Sequence, residues 1–290
     1  VNSGTEAAMS AIRLARGYTR KNRVIKFREC YHGHSDYLLS GRSFGIPASI
    51  SRDVITLSFN RLEQVESVLN KDKDVACVIV EPIAANKGLI LPAKNFLEGL
   101  RKLTAKYKAL LIFDEVISGF RFCFGGLQNI LGVNPDLTCL GKIIGGGFPL
   151  AGFGGRRKIM EHLSPQGNVY QAGTLSGNPV AVSAGLETLR VLSGKEFYKT
   201  FNSKSALFYR ALENAIHKSG SVAQLKSFGS IFSFIFQDKA KFKKFFHVLL
   251  SKGVYLSPSP DEVCFLSVAH LNKELDYTIE AVGYALEQLR

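Results

Sequence analysis

Apolar residues in this chain follow two rhythms. Short unbroken apolar runs of strand length occur at 24–27, 75–80 (VACVIV), 109–113 (ALLIF) and 137–140, and stretches with helical spacing lie between them, notably 5–18 (TEAAMSAIRLARGY) and 96–107. A run that is apolar on both faces belongs inside a covered sheet, so its alternation with helices predicts βα units around a largely parallel sheet. The first helix follows Ser3-Gly4-Thr5, a good cap region. After a helix-like stretch at 179–192 the pattern changes to helix at 201–217, strand at 231–236 (IFSFIF), helix at 241–250, strand at 264–268 and a closing helix at 274–289. This predicts an α/β domain over 1–185 and a smaller C-terminal α+β domain over 186–290, with the boundary near Gly185. No repeat or low-complexity tract interrupts either part.

Composition narrows the class. With 290 residues and 46% hydrophobic content the chain can bury a large core. No apolar run approaches the roughly 20 residues of a membrane-spanning helix, and no basic segment followed by an apolar one opens the chain. The first residue is Val1, inside what reads as a working motif, so the expectation is that an N-terminal stretch is missing. The five cysteines, Cys30, Cys77, Cys123, Cys139 and Cys264, are scattered and show no C-x-x-C pairing. That argues against a disulfide framework or structural zinc and for a reducing, cytoplasmic setting. Lys plus Arg exceed Asp plus Glu by 37 − 24 = 13. The basic residues are spread out, and the one dense run, 239–246, repeats phenylalanine at helical spacing, as an amphipathic helix with a wet face does. The charge therefore suits an anionic small substrate better than nucleic acid, for which no reading motif is present.

In parallel sheets ligands gather at the carboxyl ends of strands, so polar residues just after apolar runs carry the chemistry. Glu81, Asp114 and Lys142 stand there. Asp114, closing ALLIF, is a carboxylate at the mouth of a buried strand, and such a charge needs a cationic or hydrogen-bonding partner. A protonated pyridine would serve; so would an ordinary ion pair or cap involving Glu115 or Arg121. Lys142 precedes Gly145-Gly146-Gly147, a turn whose backbone can approach a ligand closely, and a desolvated amine condenses with aldehydes. It is no P-loop, because the lysine comes before the glycines. Ser3, Gly4 and Thr5 at a helix start offer backbone N–H groups and hydroxyls to a phosphate, although serine and threonine cap helices everywhere. Cys30-Tyr31-His32-Gly33-His34 has too few ligands for a metal, while Tyr31 offers a face for ring stacking.

In order, VNSGTEA, CYHGHSD, VEP, LLIFDEV, LGKIIGGGFPLAGFGG, YQAGTLSGNP and YLSPSPDEVCFLSVAH closely resemble the motifs of class III, fold-type I pyridoxal-phosphate (PLP) enzymes, and within them an aminomutase branch. The resemblance covers essentially the whole chain. It implies a mostly parallel sheet flanked by helices with a small C-terminal domain, and a PLP cofactor that passes through its pyridoxamine 5'-phosphate form. It makes Lys142 the lysine that bonds the cofactor and shuttles protons, and Asp114 the partner of the ring nitrogen. Val116 and Tyr31 would flank the ring. Ser3, Gly4 and Thr5 would hold the phosphate, with Thr174 reaching the cofactor of the other subunit of a homodimer. Ser43, Asn86 and Glu262 would face the substrate. The implied reaction is an intramolecular amino shift from glutamate 1-semialdehyde, a small anionic amino-aldehyde, to 5-aminolevulinate for tetrapyrrole synthesis.

The chain departs from the family pattern in places. The stretch after Asp36 is shorter than the family's gating loop, so a one-residue shift would exchange Ser43 for Phe44. Asp261 and Cys264 replace an aromatic residue and a glycine, which bears on substrate preference. Two rival readings follow: an intermolecular class III ω-aminotransferase, and a truncated PLP-binding paralogue without activity.

Overall fold

The computed structural model describes residues 1–39 and 43–289. The chain folds into two compact units, one of 1–84 with 91–194 and one of 85–90 with 195–290. The first is the predicted α/β layer structure. Its strands are β1 (Arg23–Phe27), β2 (Val54–Leu57), β3 (Val75–Val80), β4 (Leu110–Asp114), β5 (Leu137–Leu140) and β6 (Gly152–Gly155), in the spatial order β2-β1-β3-β4-β5-β6. The first five run parallel and β6 is antiparallel to β5. The helices are α1 (Gly4–Thr19), α2 (Asp36–Leu39), α3 (Ala48–Ser51), α4 (Leu62–Lys71), α5 (Phe96–Tyr107), α6 (Gln128–Leu131), α7 (Arg157–Met160) and α8 (Pro179–Leu192). Helix α8 runs unbroken through Gly185, near which the sequence placed the domain boundary.

Every residue of β3 and β4 is buried, as central parallel strands covered on both faces require. Helix α1 lies across β3, β5 and β6 and buries Ala7, Ala8, Ala11, Ile12, Leu14 and Ala15. Four of these six are alanines, which favour helix and leave little side chain between the helix and the sheet. A capping box starts it: Ser3 Oγ accepts from the Glu6 N–H while Glu6 Oε2 accepts from the Ser3 N–H at 3.0 Å. Such a cap contributes about 0.5–2 kcal/mol and sets where the helix begins. Lys26 on β1 is buried in the sheet and donates to the Leu38 carbonyl at 2.6 Å.

The second unit pairs β7 (Gln224–Phe228), β8 (Ile231–Ile235) and β9 (Cys264–Phe265) antiparallel, with α9 (Phe197–Ser219), α10 (Lys239–Ser251) and α11 (Asn272–Glu287). Phe208, Leu212, Phe232, Phe234, Phe245, Leu249 and Val282 fill its core. The apolar positions of the 239–246 run account for α10: Phe242 and Phe245 turn inward while the lysines stay wet. Three strands had no announcement in the sequence. β6 is GFGG and has no apolar run, β7 is half-exposed QLKSF, and β2 is a short edge strand. Strand β9 ends at Phe265, short of the expected 268.

Candidate active site

The site is assembled at the carboxyl edge of the parallel sheet by side chains from neighbouring strand ends. Asp114 closes β4 opposite Cys139 of β5, and is 4% exposed. Its Oδ1 accepts from the Val116 N–H at 3.1 Å, and its Oδ2 lies 2.7 Å from His32 Nδ1. His32 is itself 3% exposed, so this contact is a desolvated, charge-assisted hydrogen bond. A carboxylate only accepts, so the imidazole donates through Nδ1. Asp114 is thereby held in one orientation, and His32 Nε2 remains buried without a partner among the described residues. Glu115 turns the other way and accepts from Ser118, the Leu127 N–H and the Gln128 N–H, while burial raises its pKa.

Lys142 follows β5. Gly141 is extended, Lys142 takes a left-handed φ of 45°, and the chain then turns through a short 3₁₀ segment to Gly145. A non-glycine residue in the left-handed region costs of order 1 kcal/mol or more, so the surrounding fold holds it there. The side chain has an opening to solvent, but enough protein crowds it that desolvation, the largest influence, lowers its pKa. Asp114 and then Glu81 pull the other way, and Arg121 adds to the lowering. Amine and carboxylate are therefore within electrostatic reach of each other.

Val116 joins this corner to the start of α1. A Cβ on Gly4 would stand 2.8 Å from Val116 Cγ1 and one on Gly141 3.2 Å, so the valine is wedged between the helix start and the lysine turn. In the first turn of α1 the Glu6 N–H is taken by Ser3 Oγ. The Gly4 and Thr5 N–H groups have no intrahelical acceptor and face outward, with the helix dipole behind them.

The loop after β1 ties these parts together. The Tyr31 N–H donates to buried Glu81 at 2.6 Å, His32 reaches Asp114, and Thr5 Oγ1 lies 3.1 Å from His34 Nδ1. Tyr31 remains 41% exposed. Sequence reasoning weighed both histidines only as metal ligands and missed these interactions. Their partners lie 82 and 29 residues away, and only the order β1-β3-β4 brings this loop over the ends of β3 and β4.

The remaining candidates are carried by other segments. Thr174 is exposed on a loop whose Ser176 approaches Asn2, 3.5 Å from its amide nitrogen. Ser43 is exposed, its hydroxyl on the Phe44 carbonyl at 2.9 Å, and Phe44 is fully exposed. Residues 40–42 of the same loop lie outside the described residues. Asn86 and Glu262 belong to the second unit. Glu262 accepts from Ser257 Oγ at 3.0 Å and lines a cavity of about 400 Å³ with Tyr255, Cys264 and His270. Asp261 lies 3.9 Å from Lys87, and its carbonyl accepts from the Gly88 N–H at 2.6 Å. The five cysteines are free, and burial raises the Cys30 and Cys139 thiols and pushes Cys77 up to about 12, which makes them inert.

An amine whose pKa burial lowers, a buried carboxylate fixed by His32 and a helix start with unspent N–H groups fit the aldehyde, ring nitrogen and phosphate of PLP. The class III aminotransferase family model matches residues 1–281, and the chain belongs to that PLP-dependent family. Its relatives include glutamate-1-semialdehyde 2,1-aminomutases. That of Syntrophobacter fumaroxidans is 50% identical over 100% of this chain and 73% of its own length, and that of Natranaerobius thermophilus is 47% identical over 99% and 73%. The crystal structure of an omega-transaminase from Sphaerobacter thermophilus matches with a TM-score of 0.93 at 32% identity, covering 100% of this chain and 74% of that one.

Proposed function

We propose that this chain catalyses the intramolecular amino transfer that converts glutamate 1-semialdehyde to 5-aminolevulinate. The carrying observation is the pairing of Lys142 with an Asp114 held by His32, in a chain 50% identical to the Syntrophobacter fumaroxidans aminomutase. Bound PLP supplies an aldehyde that condenses with amines and a pyridine ring that accepts electron density while its nitrogen stays protonated.

The chain's residues do the rest. Asp114 would pair with the ring nitrogen, and His32 keeps that carboxylate from turning. Lys142 Nζ would hold the cofactor's aldehyde at rest. Once freed by substrate, its amine would take and return the proton at the substrate carbon, a role that its lowered pKa favours. Val116 and Tyr31 would flank the ring. Ser3, Gly4 and Thr5 would hold the phosphate. Ser43, Asn86 and Glu262 are the residues that would meet the substrate, Glu262 near its amino-bearing carbons. The reaction is an isomerisation: the amine leaves carbon 2 for carbon 1, carbon 2 ends as a ketone, and no external oxidant or acceptor is consumed.

The working unit is a homodimer in which Thr174 reaches the partner's cofactor. The exposed apolar residues Tyr170, Leu175, Val180, Leu186 and Val191 support it, since a monomer rarely leaves so many together in and beside one helix. Incubation with glutamate 1-semialdehyde and no amino acceptor tests the reaction. 5-Aminolevulinate is the expected product; turnover of an external amine without it would favour an ω-aminotransferase, and cofactor binding without either would leave a non-catalytic paralogue.

A further inference from the structure

Thr5 is gripped from outside its own helix. Its Oγ1 lies 3.1 Å from His34 Nδ1 and accepts from the His34 backbone N–H at 3.4 Å. The approach depends on Gly33, which has a φ of 88° and no side chain; a Cβ there would collide with Thr5 Oγ1. A threonine hydroxyl has one proton to give and two lone pairs to fill. The His34 N–H takes one lone pair. When Nδ1 carries a proton it fills the other, and the hydroxyl proton has to point away from His34. When Nδ1 is bare it captures that proton itself. A phosphate dianion only accepts, so the first arrangement suits it and the second does not. His34 is exposed, which leaves the ring free to take the tautomer with its proton on Nδ1.

We propose that His34 is a positioning residue for the cofactor phosphate, acting through Nδ1–H to fix the Thr5 hydroxyl as a donor. The inference rests on Thr5 being a phosphate ligand, and the experiment separates the two. Cofactor-free protein is titrated with pyridoxamine 5'-phosphate and with pyridoxamine, neither of which has an aldehyde for Lys142 to attack. The ratio of the two affinities reports the phosphate contacts alone, and ring binding in the same variant checks that it is folded.

His34→Ala is expected to cut the ratio by about tenfold, the loss of one hydrogen bond to a charged group. His34→Asn, whose amide can donate from nearly the same place, is expected to restore most of it. His34→Asp, which captures the hydroxyl proton and adds a like charge, is expected to lower it further. A ratio that falls in Thr5→Ala but is untouched in His34→Ala would overturn the role of His34 and keep that of Thr5. A ratio untouched in Thr5→Ala would overturn both.

Discussion

The two sheets of this protein use similar apolar strands and place opposite things at their ends. In the parallel sheet every βα strand delivers its carboxyl end to one edge, so Glu81, Asp114 and the turn bearing Lys142 arrive side by side, with His32 laid over them. In the antiparallel sheet neighbouring strands point in opposite directions. β7 returns as β8 through Gly229 and Ser230, and no edge collects the carboxyl ends. The second sheet instead concentrates aromatic packing: Phe245 lies 5.0 Å from Phe234 and 5.1 Å from Phe236, ring centre to ring centre. Buried ionisable groups cost stability and packed rings contribute it, so the contrast separates a region built for chemistry from one built for cohesion.

Substitutions should split along that line. Lys142→Ala should abolish the visible absorbance of bound cofactor and lower turnover by at least ~10³-fold, with the second unit's melting unchanged. Phe245→Ala should do the reverse, costing about 3–5 kcal/mol in urea unfolding while folded protein still binds cofactor. Asp114→Asn keeps the shape but not the charge, and should lower kcat roughly 10²-fold with protein still coloured. His32→Ala removes one charged hydrogen bond to Asp114, and a loss of about tenfold in kcat is expected.

The smallest effect is a pH dependence. Burial holds the Lys142 pKa below its ordinary 10.5. Between that lowered value and 10.5 the unfolded chain binds more protons than the folded one, so stability of the cofactor-free protein rises with pH across this window. Lys142→Met should flatten the rise, as read by urea unfolding at several pH values.

The same contrast explains what was legible from sequence. Ser3-Gly4-Thr5, Asp114 and Lys142 stand where an apolar pattern starts or stops, a position visible in one dimension. His32 and His34 do not. Their roles depend on which strands become neighbours, and the β1-β3-β4 order is a property of the folded sheet. β6 escaped for a different reason: four residues of GFGG pair with β5 through backbone alone, and backbone pairing leaves no trace in hydropathy. β7 escaped because half its side chains face solvent.

The central claim is that Lys142 is the amine that bonds the cofactor. Protein loaded with PLP, reduced with borohydride and cleaved for mass mapping tests it directly. The account predicts a single pyridoxyl mass shift on the peptide containing Lys142. A stoichiometric shift on any other lysine, buried Lys26 included, would contradict it.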